Sequence, residues 1–215
     1  MALALSLAVP ATAGQITMTG LDAAGGSTSH NYPFCCTIRE INYYDPSLFT
    51  GLSGSVTLNA LGFRRNDGLS ASSTFSDFEI YLSTVSAGST VSLSDSYEDN
   101  HGANRTLVRD GALVFNNPGG FDFFAIDLDT DFVFDTTQTL VVEMINRRSV
   151  TSGFSVDAHH VATDQRGYSA VASTNPTTLR NRVAVIELTF DEVPVPGSLP
   201  MLAAALVLLA ARRRF

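Results

Sequence analysis

Between about Gln15 and Glu192 the chain alternates apolar and polar residues in short runs, and turn-forming residues interrupt it about every 8–12 positions. Val56, Leu58 and Ala60 alternate with Thr57 and Asn59; Phe78, Ile80 and Leu82 alternate with Asp77, Glu79 and Tyr81. Ala184, Ile186, Leu188 and Phe190 alternate with Val185, Glu187, Thr189 and Asp191. A period of two puts successive side chains on opposite faces of a strand, so each run predicts a strand with one buried face. No window of similar length shows the helical period. Further strands are predicted at Ile16–Leu21, Cys36–Tyr44, Ala112–Asn116, Asp122–Leu128, Gln138–Ile145, Phe154–Ala158 and Tyr168–Ser173. Asn66-Asp67-Gly68, Asn100-His101-Gly102, Asn117-Pro118-Gly119-Gly120 and Asn175-Pro176 separate them, combining residues that tolerate positive φ with the fixed φ of proline. About ten short antiparallel strands exceed what one stable open sheet holds, so the predicted fold is all-β, an antiparallel β-sandwich of the jelly-roll type. The absence of an internal repeat argues against a propeller or β-helix.

Charge narrows the class of partner. The 215 residues carry 21 acidic side chains against thirteen arginines and no lysine, a net charge of -8. Phosphate binding needs a basic surface, so nucleic acid is not an expected partner.

The two ends differ from the body. Residues 1–13 are apolar and close on Ala11-Thr12-Ala13, the small-x-small form of a secretory cleavage site, which predicts an N-terminal signal segment and a mature start at Gly14. No arginine or lysine precedes the apolar run, a departure from the export pattern that leaves the true start open. The body is expected to span residues 14–192, with 193–215 a separate C-terminal unit. Val193-Pro194-Val195-Pro196-Gly197-Ser198-Leu199-Pro200 is an extended hinge, because its three prolines exclude a helix or a central strand. The eleven uncharged residues Met201 to Ala211 and then Arg212-Arg213-Arg214 predict a single hydrophobic helix, with the arginines on the cytoplasmic side and the body outside. A bilayer core of ~30 Å needs about 20 helical residues, so the run suits a transient tether rather than a permanent anchor.

The hinge, apolar run and arginine cluster, in that order, resemble the C-terminal sorting signal of the PEP-CTERM class, in the variant that begins Val-Pro-x-Pro and continues Leu-Pro-x-Leu. The matching residues are Val193, Pro194, Val195 and Pro196, then Leu199 and Pro200 with Met201-Leu202, then Arg212, Arg213 and Arg214. Val195 stands where the Pro-Glu-Pro form has glutamate. The resemblance implies export, passage through the inner membrane, recognition by an exosortase-type membrane protease-transpeptidase, and delivery to the cell surface or its extracellular polysaccharide. Segments Ile41–Tyr44, Gly62-Phe63-Arg64, Phe78–Thr84, Asp99-Asn100 and Thr106–Gly111 also resemble a body that recurs with this signal in bacterial surface proteins.

Local catalytic signatures are missing. No His-Glu-x-x-His, Gly-x-Ser-x-Gly or Cys-x-x-Cys occurs, so no enzymatic activity is expected. His159 and His160 are adjacent and point to opposite faces of a strand, which disfavours joint metal ligation. Cys35 and Cys36 are adjacent, and neighbouring side chains on an extended strand diverge too far to bridge without distorting the peptide between them, leaving buried free thiols or one exposed thiol that pairs with another chain. Asp127, Asp129 and Asp131 alternate, and on a regular strand they share a face at about 7 Å spacing, as hard oxygen ligands that suit calcium. Phe132 and Gln138 occupy the positions where an EF-hand needs glycine and glutamate, so that motif is rejected. Glu98, Asp99, Asn100 and Asn104 form a second oxygen-rich turn, and Asn104-Arg105-Thr106 fits the glycosylation pattern. Tyr43, Tyr44 and Tyr81 are candidates for stacking on sugar rings, in a chain that has no tryptophan.

The reading that follows is an exported, non-enzymatic β-sandwich with a structural or adhesive role at the cell envelope or in the extracellular matrix, membrane-tethered in transit. The alternative is a carbohydrate-binding module or glycan-active enzyme on the same scaffold. A calcium-stabilised adhesin is the third.

Overall fold

The structure, a computed structural model, describes residues 12–21, 28–30, 34, 38–67, 69–88, 96–117, 119–147, 153–160, 169–172, 179–180 and 182–193. These residues contain the strands β1 (Ala13–Thr17), β2 (Thr28–His30), β3 (Ile38–Tyr44), β4 (Ser55–Phe63), β5 (Ala71–Val85), β6 (Thr106–Asn117) and β7 (Phe124–Asp135). They continue with β8 (Thr139–Asn146), β9 (Val156–His160), β10 (Ser169–Ala172), β11 (Leu179–Arg180), β12 (Arg182–Ala184) and β13 (Ile186–Glu192). A four-stranded sheet runs in the order β1-β13-β4-β7, a six-stranded sheet in the order β11-β10-β3-β8-β5-β6, and a three-stranded sheet in the order β12-β9-β2. Every ladder is antiparallel.

The alternation read from sequence sets the layers. Leu58, Leu61 and Phe63 of β4, Phe132 and Phe134 of β7 and Leu188 of β13 are buried in one core with Phe78, Ile80 and Leu82 of β5 and Leu140, Val142 and Met144 of β8. Phenylalanine rings fill one end of this core: Phe115 lies 4.1 Å from Phe124 and 4.3 Å from Phe154 between ring centroids, and Phe34 packs against Phe63 at 5.2 Å. Each such pair adds about 0.5–1.5 kcal/mol beyond the area it buries. An all-β sandwich of packed sheets is the result.

The first and last strands pair, with Ala13 opposite Asp191 and the Glu192 amide donating to the Thr12 carbonyl at 3.1 Å. The boundary expected between Ala13 and Gly14 therefore falls one residue inside β1. Gly14 lies under the Phe190 ring: a Cβ there would stand 2.7 Å from Cζ of Phe190, so the ring would have to shift to admit a side chain.

The C-terminal hydrophobic helix expected from the sequence is corrected. Among the described residues helical structure is confined to two short 3₁₀ turns, Pro46–Phe49 and Glu98–Asn100, and no helix is long and apolar enough to cross a membrane. With it fall the transmembrane and sorting-signal assignment and the membrane-tethered stage of localisation. The physical reason is length: eleven helical residues span about 16 Å at 1.5 Å each, about half of a bilayer core of ~30 Å. Pro194, Val195, Pro196, Leu199, Pro200, Arg212, Arg213 and Arg214 lie outside the described residues, whereas Val193 is exposed and donates its amide to the Ser55 carbonyl.

Two features of this scaffold position functional groups. The chain between β5 and β6 folds back so that residues 96–105 cover the outer face of the six-stranded sheet, leaving every residue of β8 buried. On the opposite side, β6 ends the six-stranded sheet and β7 ends the four-stranded one, so two edge strands meet where the sandwich opens.

Candidate functional site

The outer face of the six-stranded sheet carries a buried charge cluster. Glu143, in the middle of β8, projects away from the core and is fully buried beneath residues 96–105. Its Oε1 accepts from Nε of Arg39, and its Oε2 accepts from Nη2 of Arg105 at 2.8 Å and pairs with Nε2 of His101 at 2.9 Å. Burial alone would push this carboxyl up, but the hydrogen bonds from His101, Arg39 and Arg105 outweigh it and hold its pKa down at about 2. The guanidinium of Arg39 lies 4.3 Å from the Tyr97 ring centroid and that of Arg105 lies 3.7 Å from the Tyr81 ring centroid. Arg39 also donates to Glu98, and Arg147 makes a two-pronged bridge to Glu79; these contacts hold both carboxyls below their usual range.

Ser83, His101 and Glu143 are connected in the order of a nucleophile, a base and an orienting acid, with Ser83 Oγ 2.7 Å from His101 Nδ1. Access decides against catalysis. Ser83 and Glu143 are fully buried and the His101 side chain is 1% exposed, so no substrate carbonyl reaches the hydroxyl.

The chain pins this cover with local contacts. Tyr97 donates to the Arg39 carbonyl at 2.7 Å, Tyr43 donates to the Asn100 carbonyl at 2.9 Å, and the Gly102 amide donates to Ser83 Oγ at 3.2 Å. The Asn104 side chain accepts from the Thr84 amide and donates to the Thr84 hydroxyl, so the amide of the glycosylation pattern is engaged within the fold. A Cβ on Gly102 would stand 1.8 Å from the Thr84 carbonyl oxygen, and backbone cannot yield as a side chain does. Gly102→Ala should therefore lift the cover and destabilise the protein by about 2 kcal/mol, read as a lower midpoint in urea unfolding.

At the junction of β6 and β7 a slot of about 420 Å³ opens. Buried Leu113, Phe115 and Ile126 form its floor with half-buried Phe124, while exposed Asn116 and Asp122 stand at its rim with Phe123 beside them. Phe121, next to Asp122, is 43% exposed, and Val114 is 70% exposed. Farther along β6, outside the slot lining, a clamp joins the two edge strands: Arg109 bridges to Asp129, Asp129 Oδ2 accepts from the Asp110 amide at 3.0 Å, and Arg109 donates to the Ala112 carbonyl at 2.8 Å.

The residues singled out from sequence fall as follows. Asp127, Asp129 and Asp131 are all exposed on β7, but the strand is bulged there: Asp127 pairs with Ala60 and Phe132 with Leu58, so four residues of β7 face the single residue Asn59. The bulge removes the regular spacing that a shared face requires. Asp129 turns to Arg109 instead, and no group of three His, Cys, Asp or Glu able to hold a metal occurs among the described residues. Asn100 is buried, with its amide donating to the Ser96 carbonyl, and Glu98 is taken by Arg39. Tyr43 and Tyr44 are 3% and 0% exposed, and Tyr81 is covered by Arg105 with its hydroxyl on Glu79 at 3.0 Å, so none offers an open sugar platform. His159 and His160 are adjacent on β9, opposite Val183 and Arg182. Cys35 and Cys36 lie outside the described residues.

No protein-family model matches the chain, and no curated protein matches it. The functional reading therefore rests on the slot and the cluster themselves.

Proposed function

We propose that this protein is a non-enzymatic carbohydrate-binding β-sandwich, with the slot between β6 and β7 as its glycan site. The observation that carries the reading is the combination of a phenylalanine-lined opening of ligand size with two polar side chains at its rim that have no partner among the described residues. A sugar ring has an apolar C–H face, which stacks on an aromatic surface, and a ring of hydroxyls, which need acceptors and donors. Phe123 and Phe124 supply the first; the amide of Asn116 and the carboxylate of Asp122 supply the second. The buried charge cluster around Glu143 then serves stability and not chemistry.

Calorimetric titration with soluble neutral oligosaccharides of several linkages tests this reading. At least one should bind, and Asn116→Ala should weaken that binding about tenfold, the effect of losing one rim hydrogen bond of about 1.4 kcal/mol. Asn116 is exposed and its side-chain amide has no partner among the described residues, so its truncation should leave the fold intact. Absence of binding across the panel would refute the proposal.

A further inference from the structure

Resting on that reading, we infer that the slot selects its glycan by charge, taking sugars that carry a free amine over N-acetylated ones and turning away uronic acids, with Asp122 as the selecting residue. Of the acids on the four-stranded sheet, Asp129, Asp135 and Asp191 are engaged elsewhere, while Asp127 and Asp131 are exposed outside the slot lining. Asp129 is held by Arg109 and the Asp110 amide, Asp135 accepts from Thr137 and Gln138, and Asp191 accepts from Asn59. Asp122 lines the slot with no hydrogen bond or ion pair among the described residues.

The cations confirm the sign of the field. Arg109, farther along β6, is neutralised by Asp129, and Arg64, whose guanidinium lies 5.0 Å from the centroid of the Phe123 ring, is buried and paired with Asp157. Among the described residues no arginine lines the slot. The strands of the four-stranded sheet carry seven acidic residues and no basic one, so the surface that continues from the slot along β7 is negative as well. A uronate, sulfate or phosphate group entering beside Phe123 would meet an uncompensated carboxylate. An ammonium on the sugar ring would supply the partner that Asp122 lacks, while the ring's C–H face stays on the phenylalanines. Acetylation removes that charge and replaces a compact donor by a bulkier amide.

The test uses the full chain and three short oligosaccharide probes of equal length: glucosamine, N-acetylglucosamine and a uronic acid oligomer. Titrations are run at low and high salt on the parent protein, on Asp122→Asn and on Asp127→Asn. Asp127 is an exposed acid on β7 that does not line the slot, so its variant separates local recognition from attraction to an acidic protein at large. The glucosamine oligomer should bind about threefold tighter than the N-acetylated one, the size of a solvent-exposed ion pair, with the margin shrinking as salt screens it. Asp122→Asn should erase the margin and Asp127→Asn should keep it. Equal binding of the amine and acetylated probes, preference for the uronic acid, or loss of the margin in Asp127→Asn as much as in Asp122→Asn would overturn the inference while leaving glycan binding standing. If none of the three probes binds while a neutral oligosaccharide does, the inference again falls alone. If nothing binds at all, the carbohydrate reading falls first.

Discussion

Replacing Glu143 by alanine should lower the stability of the protein by about 3–5 kcal/mol, the range seen when one member of a buried ion pair is removed. The carboxylate is the common acceptor of Arg39, Arg105 and His101, and nothing else among the described residues lies between these three groups to replace it. Arg39 keeps Glu98, which is exposed, but Arg105 loses its carboxylate altogether, and its Nε already has no partner. Two guanidinium groups would then share a face with no charge between them. The affected surface is the seam between β8 and residues 96–105, so the cover should open before the sandwich does. Urea unfolding gives the stability loss, and amide exchange at Val141, Glu143 and Ile145 shows where protection fails.

The same residue sets an acid limb. The Glu143 pKa is about 2 in the folded protein against an ordinary 4.5, so the stabilisation it provides is fully present above the unfolded value and is lost as the pH falls from about 4.5 towards 2. The loss over that window is on the order of 3 kcal/mol. Glu79, Glu98, Asp67 and Asp135 are shifted in the same direction and add to the limb. Glu143→Gln removes the titrating group, so its stability should vary less between pH 5 and pH 2, and the gap to the parent protein should close as the pH is lowered. A gap that stays constant with pH would mean that the residue acts through shape rather than charge.

Much of the sandwich is legible in the sequence because burial of one face leaves a mark every second residue. The run from Val56 to Ala60 falls within β4, and Phe78–Leu82 and Ile186–Phe190 do the same in β5 and β13. The first half of β6 and the second half of β7 are not predicted. Asp127, Asp129 and Asp131 read as one face of a regular strand, whereas β7 bulges there and resumes its alternation at Phe132 and Phe134. The charge cluster has no local signature: Arg39, Ser83, His101, Arg105 and Glu143 come from β3, β5, the cover and β8, and only the antiparallel ladders bring them together. One clue was present. Glu143 is the single acid in the run Leu140 to Ile145, and an acid in a strand that is apolar on both faces has to find cations from elsewhere. The slot is harder still to foresee, since the turn Asn117 to Gly120 marks a loop but not that the edges of two different sheets flank it.

The second large effect belongs to a pair that the cluster does not touch. Arg64 and Asp157 are each 1% exposed, with Nε and Nη2 of Arg64 both 2.7 Å from Oδ2 of Asp157, and their backbones are joined by a hydrogen bond of 2.9 Å from the Asp157 amide to the Arg64 carbonyl. Asp157→Leu would leave a guanidinium buried beneath Phe123 without the carboxylate that faces it, at a cost of about 3–5 kcal/mol. Arg64→Met alone strands the carboxylate instead, and its Oδ1 has no hydrogen-bond partner even in the intact pair. The double replacement Arg64→Met with Asp157→Leu removes both charges at similar volume and keeps the backbone hydrogen bond. Its stability should return to within about 1 kcal/mol of the parent, because desolvating two charges consumes most of what their attraction returns. The coupling in this double-mutant cycle, read from urea unfolding of all four proteins, should therefore approach the sum of the two single losses. If the two single losses simply add, the pair stabilises through packing and not through charge, and the apolar core around Phe63, Phe123 and Phe154 would be the feature that fixes this corner of the sandwich.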